Sequence, residues 1–174
     1  MKHSMRGNVD PFIVMDVMEN ARKAEEGGRK IIHMEVGQPS TAAPSGALER
    51  TSQIIKSNPL GYTVALGLPE LRKKISNLYG RWYNLDIDPS RVIVTSGSSG
   101  AFILSFTALF EEGARVGIGA PGYPSYRQIF KSLGISPVDI ATNFENKFQP
   151  TAKDVVSQNL DGLLVASPSN PTGT

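Results

Sequence analysis

The fold is decided by residues 92–101, which read VIVTSGSSGA. The first four, Val92 to Thr95, are all β-branched and predict a strand. Glycine and serine at residues 96–100 then predict a turn, and residues 101–110 predict a helix. That helix is apolar nearly all round, so we expect it to be buried on several sides. A strand joined to a helix by a short turn is the building unit of α/β folds.

The same alternation continues along the rest of the sequence. Further strands are predicted at residues 115–120, 136–141 and 163–166, and helices at 123–133 and 151–158. Alternating strands and helices form mostly parallel sheets that are covered on both faces. The sequence therefore predicts an α/β fold with a mostly parallel sheet flanked by helices.

The N-terminal half is predicted to be mainly helical. Asp10 and Pro11 are typical of a helix start and predict a helix that runs to about residue 26. A short strand is expected at residues 31–36, and another helix after Ser45. The clearest helical periodicity comes next, with apolar residues every three or four positions: Leu68, Leu71, Ile75, Leu78 and Trp82.

Composition excludes several classes of function. The 174 residues carry a formal net charge of +2 and their basic residues are dispersed, so nucleic acid is not an expected partner. The absence of cysteine from the sequence excludes disulfides, thiolate metal sites and a cysteine nucleophile. The two histidines, His3 and His33, have no metal-ligand spacing, and we expect no metal. His33 lies in an apolar run and is interpreted as a histidine of the core or sheet.

No segment of the sequence is typical of a membrane protein or a secreted one. The N-terminal residues lack the apolar stretch of a signal peptide. The most apolar segment, residues 101–110, is too short to cross a bilayer. We expect no membrane association and a cytoplasmic location.

The serine turn, residues 95–101, has the chemistry of a phosphate cradle. It opens a predicted helix, whose first N–H groups and dipole favour an anion. Glycine lets the main chain approach a ligand closely, and Ser98 and Ser99 add hydroxyl donors. A Walker loop is excluded because no Gly-Lys-Ser/Thr follows. A plain tight turn remains the alternative.

Two further loops follow predicted strands. Residues 121–126, PGYPSY, place Tyr123 where a ring can stack on a flat ligand, although Tyr123 and Tyr126 can instead cap the core. Residues 167–173, SPSNPTG, hold Asn170 between two prolines that stiffen the main chain, or form a simple turn. Because the carboxyl ends of parallel strands meet at one edge of a sheet, we expect these loops and the serine turn to lie together.

One glycine pattern favours a different cofactor. Residues 117–122, GIGAPG, match the dinucleotide pattern GxGxxG, with Asp139 at a separation suited to a ribose contact. The match is weak, because its first two glycines lie inside a predicted strand and prolines stand where the helix should begin. A nicotinamide-dependent oxidoreductase is therefore a minor alternative.

In this order and spacing, the motifs resemble those of the class I/II aminotransferases, which have the type I fold of pyridoxal-phosphate enzymes. The resemblance covers nearly the whole chain. It implies that residues 1–44 are an N-terminal arm with a small-domain segment, and that residues 45–174 are the first part of the large cofactor-binding α/β domain. Besides the three loops it includes residues 37–39 (GQP), Tyr62, Thr63, Gly67 and residues 69–72 (PELR).

The resemblance implies roles for the residues of the three loops. Gly97, Ser98 and Ser99 would hold the phosphate of pyridoxal 5'-phosphate. Tyr123 would stack on the pyridine ring of that cofactor. Asn170 would hydrogen-bond the phenolic oxygen of the ring and tune its electronics.

The resemblance also implies contacts beyond the cofactor. Tyr62 would reach the partner's cofactor across a homodimer interface, and Gly37 would line the site of the substrate carboxylate. Both residues are marked by the family match alone. The implied function is amino-group transfer between an amino acid and a 2-oxo acid, in amino-acid metabolism and biosynthesis.

The Schiff-base lysine of that family has no counterpart here, because every lysine precedes the Asn170 loop. The family's acidic partner of the pyridine nitrogen and its carboxylate-binding arginine also have none. We therefore expect an N-terminal fragment, incomplete at its C-terminus and inactive alone, that exposes apolar surface where the remainder would pack. A C–S lyase or related amino-acid lyase or synthase of the same fold, and a non-catalytic remnant, remain alternatives.

Overall fold

The computed structural model describes residues 3–174, which divide into two compact units, residues 3–16 with 96–174 and residues 17–95. The domain boundary expected between residues 44 and 45 stays a prediction for the whole protein. Within the described residues, no helix combines the length and apolar character that crossing a bilayer requires. The helices are α1 (Ile13–Glu26), α2 (Ser45–Ser57), α3 (Pro69–Tyr83), α4 (Gly97–Leu109), α5 (Pro124–Ser132) and α6 (Ala152–Val156), and the strands are β1 (Arg115–Ala120), β2 (Ser136–Ala141) and β3 (Gly162–Leu164).

The first unit contains the parallel sheet that the sequence predicts. In the described part of the chain the sheet has three strands in the order β2-β1-β3. The central strand β1 pairs in parallel with β2 along its whole length and with β3 over three residues. Helices α5 and α6 make the crossovers between these strands. The prediction of an α/β fold with a parallel sheet flanked by helices is confirmed.

The core of this unit lies between the sheet and two helices. Alternate residues of a strand face opposite sides of the sheet, and Val116 and Ile118 of β1 are buried on the same side. Phe106 of α4 and Phe130 of α5 pack against them, with ring centroids 4.2 Å apart. The aromatic pair therefore fixes both helices to one face of the sheet.

Helix α4 is less buried than its sequence predicts. Phe106 is buried, whereas Ile103, Leu104 and Leu109 are 46–71% exposed. The prediction of burial on several sides is wrong for this chain, because the described residues cover a single face of the helix. The expectation of exposed apolar surface is confirmed.

In the second unit, α3 is anchored to the segment that follows it. The Arg72 guanidinium donates a hydrogen bond to the main-chain oxygen of Val92 at 2.8 Å. The strand predicted at residues 92–95 is not formed. The Val94 N–H donates to the Leu66 oxygen at 3.0 Å, but this contact does not extend into the ladder that defines a strand. The predicted helices at α2 and α3 are confirmed.

Helix α1 begins later than the sequence predicts. Its first residue is Ile13, so Asp10 is not the N-cap and Pro11 is outside the helix. The Asp10 carboxylate instead accepts a hydrogen bond from the Lys131 ammonium at 2.6 Å. A tertiary ion pair has therefore replaced the local capping bond that the sequence favours.

The segment before Gly37 also differs from its prediction. Residues 31–36 do not form a strand, and His33 is exposed rather than part of a core or sheet. Its Nδ1 lies 2.6 Å from Glu35 Oε1 and its Nε2 lies 3.0 Å from Glu25 Oε1. Hydrogen bonds that the ring donates to the carboxylates of Glu35 and then Glu25 raise the pKa of His33 from 6.5 to about 9. The protonated ring thus ties this segment to α1.

We expect this tie to depend on pH. Because the folded pKa of His33 lies above the unfolded value, its stabilisation is complete below about pH 6.5 and is lost as pH rises through about 9. His33→Gln should therefore have a lower urea midpoint than the unmodified chain near pH 6 and an equal midpoint near pH 10. His3→Gln, which removes the other histidine, is the control. A difference at His33 that is constant across this range would contradict the interpretation.

Candidate functional site

Helices α4 and α5 lie side by side and run in the same direction. Phe102 and Tyr126, near the start of each helix, have ring centroids 5.0 Å apart. One turn later, Phe106 and Phe130 are 4.2 Å apart. Because α5 begins just after the carboxyl end of β1, the first turn of α4 lies at that same edge of the sheet. The prediction that the serine turn and the Tyr123 loop share one edge is therefore confirmed.

The serine turn is the first turn of α4 itself rather than a separate loop. Gly97 has φ of +72°, a left-handed conformation that favours glycine. A Cβ built on Gly97 would meet nothing within 4 Å, so the glycine serves the conformation and the space beside it is open. Ser98 and Ser99 are exposed. Ser96, at the N-cap, makes no side-chain capping bond with the described residues, and the first turn carries no acidic residue.

Tyr123 is the N-cap residue of α5 and is partly buried. Its ring lies edge-on to Tyr126, with centroids 5.4 Å apart, and edge-on to Phe12, with centroids 6.2 Å apart. Tyr126 packs against the core, which agrees with the alternative that this tyrosine caps the core. Burial, with a smaller contribution from Tyr123, raises the pKa of the Tyr126 hydroxyl. Tyr123 thus belongs to a cluster of aromatic side chains at the edge of the sheet.

Asn170 lies in the loop that follows β3, and its side chain is exposed. The loop is closed by main-chain hydrogen bonds from Ser169 N–H to the Thr174 oxygen at 2.7 Å and from Gly173 N–H to the Ser169 oxygen at 2.6 Å. The Gln149 amide donates to the oxygens of Ala166 and Thr174, at 3.0 and 2.8 Å. The Gln149 side chain therefore binds both ends of the loop that carries Asn170.

The other two predicted site residues belong to the second unit. Gly37 and Tyr62 lie in irregular segments there, and the Tyr62 side chain is fully exposed. The structure groups Gly97, Ser98, Ser99, Tyr123 and Asn170 in the first unit, and the roles of Gly37 and Tyr62 stay predictions.

Two of the three glycines in residues 117–122, Gly117 and Gly122, have a packing explanation. Gly117 and Gly119 lie inside β1, as the sequence predicts. A Cβ on Gly117 would lie 2.7 Å from Leu160 Cδ1 and 2.9 Å from Ile140 Cδ1. A Cβ on Gly122 would lie 2.5 Å from the Gly119 oxygen. Close packing thus accounts for Gly117 and Gly122 without a dinucleotide.

A family model for aminotransferase class I and II matches residues 29–174. The chain belongs to this family. The match extends from the His33 segment through the serine turn, Tyr123 and Asn170, and so includes every residue of the candidate site.

Individual relatives agree with this family assignment. The chain is 42% identical to a valine–pyruvate aminotransferase of Mycobacterium tuberculosis, over 98% of this chain and 45% of the relative. It is similar to a solved aminotransferase from the same organism, with 40% identity and a TM-score of 0.92 over 98% of this chain and 45% of that one. An aminotransferase structure from Silicibacter pomeroyi is 59% identical, with a TM-score of 0.88, over 100% of this chain and 44% of that one. The chain thus spans under half the length of these relatives.

Two contacts at the site could not be found by motif analysis. Phe12 falls within the helix that Asp10 and Pro11 predict, and nothing in the sequence around it indicates a partner beyond position 120. Gln149 lies in a polar stretch without a recognisable pattern. Both contacts join residues that are distant in sequence, and local periodicity carries no signal for such pairs.

Proposed function

We propose that the protein is a pyridoxal-phosphate-dependent aminotransferase, which transfers an amino group between an amino acid and a 2-oxo acid. Family membership supports the reaction class. The observation that carries the proposal is the shared position of the α4 N-terminus and Tyr123 at one edge of the sheet. A phosphate group and a flat heterocycle on one small molecule fit that pair of features.

The described residues fit this cofactor chemically. The first turn of α4 offers main-chain N–H groups, a positive helix end and the exposed hydroxyls of Ser98 and Ser99. The turn contains no carboxylate that would repel an anion. In this proposal Gly97, Ser98 and Ser99 hold the phosphate, Tyr123 stacks on the ring, and the Asn170 amide donates to the phenolic oxygen.

The other proposed roles concern the charge on the cofactor ring, the position of the substrate and the partner's phosphate site. Bound pyridoxal phosphate supplies an electron sink for the substrate carbon. Asn170 would stabilise negative charge on the phenolic oxygen, and Gly37 would leave room for a substrate carboxylate. Tyr62 would contribute to the partner's phosphate site in a homodimer. We further propose a cytoplasmic location.

The proton-transferring lysine of such enzymes has no match in these 174 residues. We therefore propose that this chain alone does not catalyse transamination, and that activity belongs to the longest natural polypeptide containing it. The names of the relatives suggest which donors to assay first. Valine with pyruvate is the first pair to assay, because the relative at 42% identity is a valine–pyruvate aminotransferase. Alanine and aspartate come next, because an alanine aminotransferase structure and several aspartate aminotransferases match the chain at lower identity.

The proposal is tested by an absorbance spectrum of that polypeptide with pyridoxal phosphate. We expect a band near the visible edge that shifts when amino acids are added. Changing Ser98 and Ser99 together to alanine should weaken cofactor binding at least about tenfold, because a hydrogen bond to a charged group contributes about 1.5–3 kcal/mol. Ser105→Ala, an exposed serine further along α4, is the matched control. Equal affinity in the serine variants would refute the phosphate role, and absence of the band would refute the function.

A further inference from the structure

The ring of Tyr123 is held from two sides by other rings. Tyr126, on the same helix, meets it at an interplanar angle of 83°. Phe12, which precedes Tyr123 by more than a hundred positions, also meets it at 83°, with centroids 6.2 Å apart. Such edge-to-face geometry is favourable for aromatic pairs. The orientation of Tyr123 therefore depends on a residue from the N-terminal segment, residues 4–12.

The N-terminal segment is itself anchored to the same part of the fold. The Asp10 carboxylate accepts from the Lys131 ammonium at 2.6 Å, and Lys131 lies in the last turn of α5. The Arg6 guanidinium lies 3.6 Å from the Glu112 carboxylate, in the connection between α4 and β1. The segment thus runs along α5 from its last turn to its N-cap, Tyr123.

From these contacts we propose that the N-terminal segment positions Tyr123 for stacking, with Phe12 as the positioning residue. The inference rests on the proposed function, in which Tyr123 stacks on pyridoxal phosphate. A partly buried tyrosine can rotate about two side-chain bonds, and a stacking contact requires one ring orientation. The rings of Phe12 and Tyr126 restrict that rotation, and the ion pair at Asp10 keeps Phe12 in place.

The test uses Phe12→Leu in the longest natural polypeptide that contains this chain. The dissociation constant of pyridoxal phosphate is measured by titration of the apoprotein, and the circular dichroism of the bound cofactor's absorption band reports how it is oriented. We expect the dissociation constant to rise about threefold to tenfold, the range that corresponds to one aromatic pair, and the circular dichroism signal to decrease. Phe12→Tyr, which keeps a ring, should restore both values.

A matched control is available elsewhere in the same unit. Phe144 is an exposed phenylalanine that meets Phe148 edge-on, with centroids 6.4 Å apart and an angle of 80°. Phe144→Leu removes a ring of similar geometry without touching the N-terminal segment. It should leave both readouts unchanged.

The ion pair provides a second, independent readout. Asp10→Asn should weaken cofactor binding in the same direction as Phe12→Leu. High salt should weaken binding to the unmodified protein more than to Asp10→Asn, because exposed ion pairs are screened. If the unmodified protein binds the cofactor and Phe12→Leu binds it equally well with the same circular dichroism, the positioning role is overturned and the proposed function stands. If the unmodified protein does not bind it, both fail.

Discussion

Replacing Phe130 with alanine should lower the free energy of unfolding by about 3–5 kcal/mol, the usual cost of deleting a buried phenyl ring. Phe130 is completely buried, and its ring is stacked on that of Phe106. It also meets the ring of Phe110 at 71°, with centroids 6.2 Å apart. Removing the ring would leave a cavity and remove the aromatic contact between α4 and α5. These two helices together place the serine turn beside Tyr123. Urea unfolding followed by far-ultraviolet circular dichroism measures the change.

The control for this substitution is Phe144→Ala. Phe144 is 84% exposed, so we expect its removal to change the unfolding free energy by no more than about 0.5 kcal/mol. Comparable losses in the two variants would show that the aromatic cluster around Phe130 is not the core of the unit.

A second large effect is expected from Gly162→Ala in β3. An added Cβ would overlap Phe110 Cε1 and lie 2.7 Å from Phe110 Cζ. A ring packed in an aromatic cluster yields less readily than the end of a flexible side chain, so the methyl group should cost about 1–3 kcal/mol. The urea midpoint should fall accordingly.

Another glycine of the same sheet provides the control for this substitution. At Gly119 in β1, an added Cβ would lie 3.5 Å from the Pro150 side chain, an ordinary van der Waals distance. Gly119→Ala should therefore be tolerated, with the gain in strand propensity acting in its favour. If Gly119→Ala were as destabilising as Gly162→Ala, loss of glycine as such, and not the Phe110 ring, would be responsible.

Sequence patterns predicted those parts of the fold whose periodicity and packing agree. The sequence predicts β1 and β2 at their observed residues, and the apolar spacing from Leu68 to Trp82 coincides with the observed α3, Pro69–Tyr83. The predicted strands that do not form are residues 31–36 and 92–95. Their apolar composition is typical of strands, but a strand exists through hydrogen bonds to a neighbour, and the described residues supply no ladder for either segment.

The candidate site was predicted in part. The rule that loops of a parallel sheet share its carboxyl edge places the serine turn, Tyr123 and Asn170 in one unit, and the structure agrees. It does not predict that Phe12 restrains Tyr123 or that Gln149 binds both ends of the Asn170 loop. These contacts depend on side chains that meet only after the chain has folded.

The order of strands in the sheet has a consequence for synthesis. β1 and β2 are joined through α5 alone, whereas β3 pairs with β1 only after β2 and α6 have been made. Closing the shorter connection costs less chain entropy, and a ribosome releases the N-terminal residues first. Nascent chains that end just after β2 should therefore already bring the α4 turn and Tyr123 together. Asn170 would join them last, when translation has passed β3.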